Sequence, residues 1–203
     1  MNIESISSEY DNIVGMIYSG PLEDEPWQSF LPQLRDIMKA KVVSLILRPP
    51  SSGDAGVILN CLRPGMSADK DDSTELANPN DWQVTTYKEQ FFSLDPFVNL
   101  PPGKVVTLEE LVPGSELVDS EYYHQYLKPV DVFHVLGADT IEPNGLIARL
   151  RISRGREEAP FSEQDKLLCS KLLPHLRRAI QIHARLNQTA SERDLYAGTV
   201  NQM

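Results

Sequence analysis

The chain has 203 residues, 41% hydrophobic and 24% charged, an ordinary globular composition with no apolar run near the roughly 20 residues that a membrane-spanning helix requires. Its 29 acidic and 19 basic side chains give a net charge of −10, which repels phosphate backbones and argues against tight nucleic-acid binding by this chain alone. The length suits one domain of generous size.

The first residues, MNIESISSEYDN, lack the basic start and apolar stretch of a secretory signal, so a cytoplasmic location is expected. Residues 9–20 (EYDNIVGMIYSG) and 27–40 (WQSFLPQLRDIMKA) read as two helices separated by the acidic turn PLEDEP. Trp27, Phe30, Leu34, Ile37 and Met38 form the apolar face of the second. The period then changes to two. Val43, Leu45 and Leu47 in KVVSLILRP and Val57, Leu59 and Cys61 in AGVILNCLRP alternate, predicting a hairpin joined by a Pro-Pro-Ser-Ser-Gly loop. Residues 64–81 are polar, as expected of a loop, and their DKDDSTE run lacks the glycine that a calcium loop requires at its sixth position.

DWQVTTYKEQFFSLDPFVNL follows, a helical segment whose aromatic side chains stand too close together for a solvated surface. Gly103 and Pro113 bracket a short element at TLEELV, and DSEYYHQYLKP predicts a helix capped by Asp119 or Ser120. A second hairpin alternates Val132, His134, Leu136 and Ala138, turns at 143–145, and continues with Leu146, Ala148, Leu150 and Ile152. Arg149 and Arg151 lie on its other face, so the hairpin is expected to be half exposed.

The last predicted element is the longest. Ser162 supplies an N-cap with Asp165 three residues on, and Leu168, Leu172, Leu176, Ala179, His183 and Leu186 recur at helical spacing. Pro174 is expected to bend or divide this helix near Leu173. At about 1.5 Å per residue the stretch 162–186 would reach roughly 37 Å. That is longer than a small domain needs to cover its own sheet, so Leu172, Leu176, Ala179, His183 and Leu186 are the candidate homodimer contact. The competing reading packs the stripe wholly on its own sheet.

The element order predicts an α+β domain, an antiparallel sheet flanked by helices in the manner of GAF and PAS sensor domains. Candidate ligand residues are Trp82, Tyr87, Phe91, Phe97, Tyr122, Tyr126 and His134, apolar walls with a few polar groups; the alternative is that these aromatic side chains simply fill the interior. Asp95, before Pro96, has a turn-forming role open to it. His124 and His134 lack a third ligand at recognisable spacing, so no metal is expected, and no cofactor. No nucleophile elbow, P-loop or H-E-x-x-H occurs, and the chain is read as not an enzyme. Cys61 and Cys169 read as small buried hydrophobes.

At FSEQDKLLCSKLLPHLRRAI, YYHQYLKPVDVFHVLGADTI and GLIARLRISRG the sequence resembles the amino-terminal sensory domains of LuxR-type helix-turn-helix transcription regulators, from about Tyr10 to Leu186. WQVTTYKEQFFSLDPF is similar to the tryptophan, tyrosine and Asp-Pro series of autoinducer-binding domains in LuxR-type quorum sensors. The resemblance implies that Trp82 and Tyr87 line a ligand pocket and that Asp95 accepts a hydrogen bond from a ligand amide. The tryptophan to tyrosine interval is one residue longer here. It also implies a sensor domain over 1–186, with 187–203 a helical linker toward a DNA-binding domain missing from this chain. DNA would be reached only through that domain, with no membrane partner.

Overall fold

A computed structural model describes residues 3–48, 57–63, 95–98, 100–143 and 145–200 of the chain. The chain divides into two compact units, residues 31–173 and residues 1–30 with 174–203.

The larger unit is built on five antiparallel strands: β1 (Val42–Arg48), β2 (Val57–Leu62), β3 (Val105–Thr107), β4 (His134–Ile141) and β5 (Ile147–Arg154), in the order β2-β1-β5-β4-β3. Both predicted hairpins form. β1 pairs with β2 from Val42↔Leu62 to Leu47↔Val57, and β4 pairs with β5 from His134↔Arg154 to Ile141↔Ile147. The strand β3, paired with β4 through Val105↔Ala138 and Thr107↔Leu136, is an addition to the predicted set. The expected α+β, GAF-like arrangement is the one the chain adopts.

Strand alternation sorts the sheet into two faces. One carries Val43, Leu45 and Leu47 of β1, Leu136 and Ala138 of β4, and Leu150 and Ile152 of β5, all buried. The helix α2 (Phe30–Ile37) lies at this side, where Arg35 Nη1 reaches Cys61 Sγ at 3.4 Å and donates to the Leu62 carbonyl at 2.6 Å. The other face carries Val135, Gly137 and Asp139 of β4 and Arg149 and Arg151 of β5. The second hairpin is therefore not half exposed: seven of the eight residues of β4 are buried, because each face of the strand has its own cover.

Over this second face lie α3 (Leu108–Leu111), α4 (Gly114–Asp119) and a wide turn of π-helix, Tyr123–Leu127. Leu108, Leu117, Tyr123 and Leu127 share one apolar cluster with Phe97, Tyr122 and Val135. Of the two predicted caps, Ser120 is the one used: its hydroxyl oxygen accepts the Tyr123 N–H at 3.1 Å.

The helix α5 runs Glu163–Val200. Its start is as predicted, with Asp165 N–H donating to Ser162 Oγ at 3.2 Å and Ser162 N–H to the Asp165 carboxylate at 2.7 Å. Pro174 does not end it; the helix continues through the proline, whose ring is exposed, and the division between the compact units falls there.

In the smaller unit, α1 (Ile3–Ser19) and the later part of α5 meet around aromatic side chains. The rings of Tyr10 and Tyr18 stand edge-on to His175, and the Tyr18 hydroxyl lies 3.2 Å from His175 Nδ1. Trp27 does not begin a helix as predicted. Its φ is 58°, in the left-handed region, and α2 begins three residues later. The turn is held because the indole N–H donates to the Ile17 carbonyl at 3.1 Å and the ring lies against Gly20, where a Cβ would stand 2.2 Å from it. Both cysteines are buried free thiols, and burial pushes the Cys169 thiol up to about 12.

Candidate functional site

Trp82, Tyr87 and Phe91 lie outside the described residues. Of the remaining predicted ligand residues, Asp95, Phe97, Tyr122 and Tyr126 come together and His134 does not.

Gly137 is the reason Phe97 can approach the sheet. A Cβ at that position would stand 2.5 Å from the Phe97 ring, so a side chain there would occupy the space the ring now fills. The ring is almost fully buried, and the Arg151 guanidinium lies over it at 4.8 Å from the centroid. Asp95, also buried, accepts the Phe97 backbone N–H at 2.8 Å, an Asx turn that fixes the Asp-Pro segment. The same carboxylate oxygen lies 3.4 Å from the Tyr122 hydroxyl, and Tyr122 stacks on Tyr126 with centroids 5.5 Å apart. Burial first, and the Asp95 charge second, push the Tyr126 phenol up to about 12, so it stands there as a neutral hydroxyl. Three aromatic rings thus form an apolar wall with a carboxylate set into it.

Beneath that wall the sheet itself is charged. Asp139 and Arg149 are cross-strand partners, and Arg151 faces Gly137 one step along. Arg151 donates to Asp139 Oδ1 at 2.6 Å, while Arg149 Nε is 3.6 Å from Oδ2. All three side chains are at most 12% exposed. Arg151 also donates to the Leu150 carbonyl at 3.0 Å. Arginine cannot shed its proton at any ordinary pH, so these are fixed charges held in the interior. None of Gly137, Asp139, Arg149 or Arg151 was among the predicted site residues, yet the hairpin register carried the signal: with the turn at 143–145, Asp139 falls opposite Arg149.

His134 belongs to the opposite face, because strand alternation groups it with Leu136 rather than with Gly137. Its Nδ1 is in hydrogen-bond contact with the Glu109 carboxylate of α3, which ties it to the start of that helix.

The predicted dimer stripe also divides. Leu172, Leu176 and Ala179 are at most 3% exposed within the single chain, and His183 is half-buried with its ring 5.2 Å from that of Trp27. Burial holds the His183 imidazole below its ordinary value. Leu186 is 43% exposed, and Ile182, one turn earlier, is 44% exposed. Of these two outward apolar residues, Leu186 belongs to the predicted stripe and Ile182 lies beside it.

Among the described residues no group of histidine, cysteine and carboxylate side chains is placed to hold a metal ion, and no helix is long and apolar enough to cross a membrane.

No protein-family model and no curated protein sequence matches the chain. Solved structures do. SdiA of Escherichia coli superposes with a TM-score of 0.56 at 14% identity, over 88% of this chain and 68% of that one. The VqsR LBD domain of Pseudomonas aeruginosa gives 0.57 at 15% identity, over 87% and 97%. CepR2 of Burkholderia cenocepacia, an N-acylhomoserine lactone dependent LuxR family transcription factor, gives 0.51 at 10% identity, over 87% and 95%. Identities this low speak for the fold alone, which the chain shares with these three structures.

Proposed function

We propose that this chain is the ligand-sensing, dimerising regulatory domain of a LuxR-type transcription regulator and that it holds a small apolar or amphipathic molecule. It acts as a sensor and not as an enzyme, in the cytoplasm, with residues 1–186 as the sensor and 187–203 leading to a DNA-binding domain that carries all contact with DNA. The observation that supports this most directly is the aromatic wall of Phe97, Tyr122 and Tyr126 with Asp95 set into it, over a buried charged strand pair. Apolar walls with few, fixed polar groups are what a small-molecule site needs. SdiA has been crystallised with octanoyl-rac-glycerol, an amphipathic molecule of the class proposed here.

Native mass spectrometry tests the sensor reading. The purified chain is expected to carry a releasable small molecule, and Trp82→Ala to lower its occupancy about tenfold, since the resemblance implies that Trp82 lines the pocket and an aromatic contact is worth up to about 1.5 kcal/mol beyond its area burial. A second reading has a specific observation behind it. Asp95 is already engaged by the Phe97 N–H and the Tyr122 hydroxyl, as in an interior that fills itself. A mass with nothing bound, and no binding of N-decanoyl homoserine lactone or decanoate on titration, would favour that purely structural module.

The dimer is proposed to form through the outward residues of α5. Leu186→Asp, at an exposed position, is expected to leave the fold intact and convert a two-chain mass to one chain by light scattering; a dimer that survives both Leu186→Asp and Ile182→Asp would place the contact elsewhere. Leu176→Asp cannot serve as this test, because a charge at a side chain 2% exposed would unfold the unit itself.

A further inference from the structure

We propose that the ligand presents an anionic head, a carboxylate, to the guanidiniums of Arg149 and Arg151, with its apolar body along Phe97, Tyr122 and Tyr126. This rests on the sensor reading above and names the ligand class for the same site.

The register carries the argument. Arg149 pairs with Ile46 of β1 and Arg151 with Ser44, so the same sheet face continues into β1, where alternation adds Arg48 two residues beyond Ile46. Three guanidiniums therefore share a face with two buried carboxylates, Asp139 and Asp95, among the described residues. Arg48 and Arg149 make further contacts of their own, so what marks the face is the placement of the cations and not a vacant donor.

Arg151 is pre-organised. Asp139 Oδ1, the Leu150 carbonyl and the Phe97 ring fix the plane of its guanidinium, and a fixed fork loses little entropy when a carboxylate docks on it. The Tyr126 phenol, pushed up by burial, stands there as a neutral hydroxyl, and the Tyr122 hydroxyl already lies 3.4 Å from the Asp95 carboxyl group. A neutral amide head would gain the hydrogen bonds without the charge assistance, the weaker of the two kinds.

The test compares decanoate with decanamide, which share a chain and a head of similar shape and differ in charge, by isothermal titration of the purified chain at neutral pH. Decanoate is expected to bind at least about tenfold tighter, the difference between a charge-assisted and a neutral hydrogen bond. Arg149→Met, which keeps an apolar stem, is expected to shrink that preference to about threefold or less, because decanoate loses a charge-assisted hydrogen bond where decanamide loses only a neutral one. Equal affinities in the parent chain would overturn the proposal without any variant, as would a preference that survives both Arg149→Met and Arg151→Met. N-decanoyl homoserine lactone separates the two levels: its binding alone overturns the anionic head and keeps the sensor, whereas failure of all three probes removes both.

Discussion

Replacing Arg154 with Met is expected to cost about 3–5 kcal/mol, a large part of the 5–15 kcal/mol that holds a typical domain together. Arg154 sits at the end of β5, 6% exposed, and its guanidinium gathers three separate pieces of chain. Nε and Nη2 donate to the Met38 carbonyl just past α2, at 3.0 and 2.6 Å, and Nη1 donates to the carbonyls of Ala159 and Pro160, both at 3.1 Å. Nη2 lies 3.4 Å from the Asp165 carboxylate in the first turn of α5, and the guanidinium stacks on Phe161 at 4.0 Å. Methionine would fill much of the volume and satisfy none of the acceptors. Each stranded carbonyl costs about 1–3 kcal/mol unless water reaches it.

A urea midpoint reads the effect. Asp165→Asn is the control: it removes the 3.4 Å ion pair of a partly exposed carboxylate and the charge that accepts the Ser162 N–H at the start of α5, together worth about 1–2 kcal/mol. Arg154→Lys should resemble Met more than the parent, since an ammonium cannot span three carbonyl groups on two segments. An Arg154→Met midpoint within about 0.5 kcal/mol of the parent would mean that the guanidinium does not anchor α5.

Much of this architecture was legible because it rests on local periodicity. The alternation of Val43, Leu45 and Leu47 and the turn at 143–145 were sufficient for both hairpins, and Ser162 with Asp165 marked the start of α5. The strand β3 was not legible: three residues, Val105–Thr107, are too few to show a period, and their partner lies some thirty positions on in β4. Nor was the break at Trp27, whose left-handed turn depends on the space left by Gly20 and on the Ile17 carbonyl of another segment. The π-helical turn at Tyr123–Leu127 is set by what Tyr123 and Leu127 bury, and no residue type announces it.

The grouping of side chains at the candidate site was legible in part, and what escaped has one cause. Aromatic residues and Asp-Pro stand out by type, and Asp95, Phe97, Tyr122 and Tyr126 do come together. Type alone also drew in His134, although alternation assigns it to the far face. It left out Arg149 and Arg151, which read as solvent-facing because they are charged. Their burial depends on Asp139, a residue of the other strand, and on Gly137, whose missing side chain admits Phe97. Pair relations across a hairpin become visible once register is applied, one step beyond composition and motif.

That pair relation leads to the second large effect. Asp139→Asn keeps the side chain's shape, but it removes the negative charge between two guanidiniums and turns one acceptor into a donor facing donors. With the Asp139 side chain 6% exposed and Arg149 and Arg151 at 9% and 12%, water is poorly placed to compensate. Breaking a buried pair from one side is expected to cost about 3–5 kcal/mol. Arg151→Met in the Asp139→Asn background should then be less harmful than in the parent, because it removes a cation already left without its carboxylate. The double-mutant cycle is expected to show a coupling of about 1.5–3 kcal/mol. Additivity within about 0.5 kcal/mol would mean that Asp139 and Arg151, 2.6 Å apart, are each stabilised by something else. The coupling also bears on the ligand. If Asp139 fixes the Arg151 fork, Asp139→Asn should weaken decanoate more than decanamide even though Asp139 repels the head, since a guanidinium free to leave the Phe97 ring must be ordered again when a carboxylate docks.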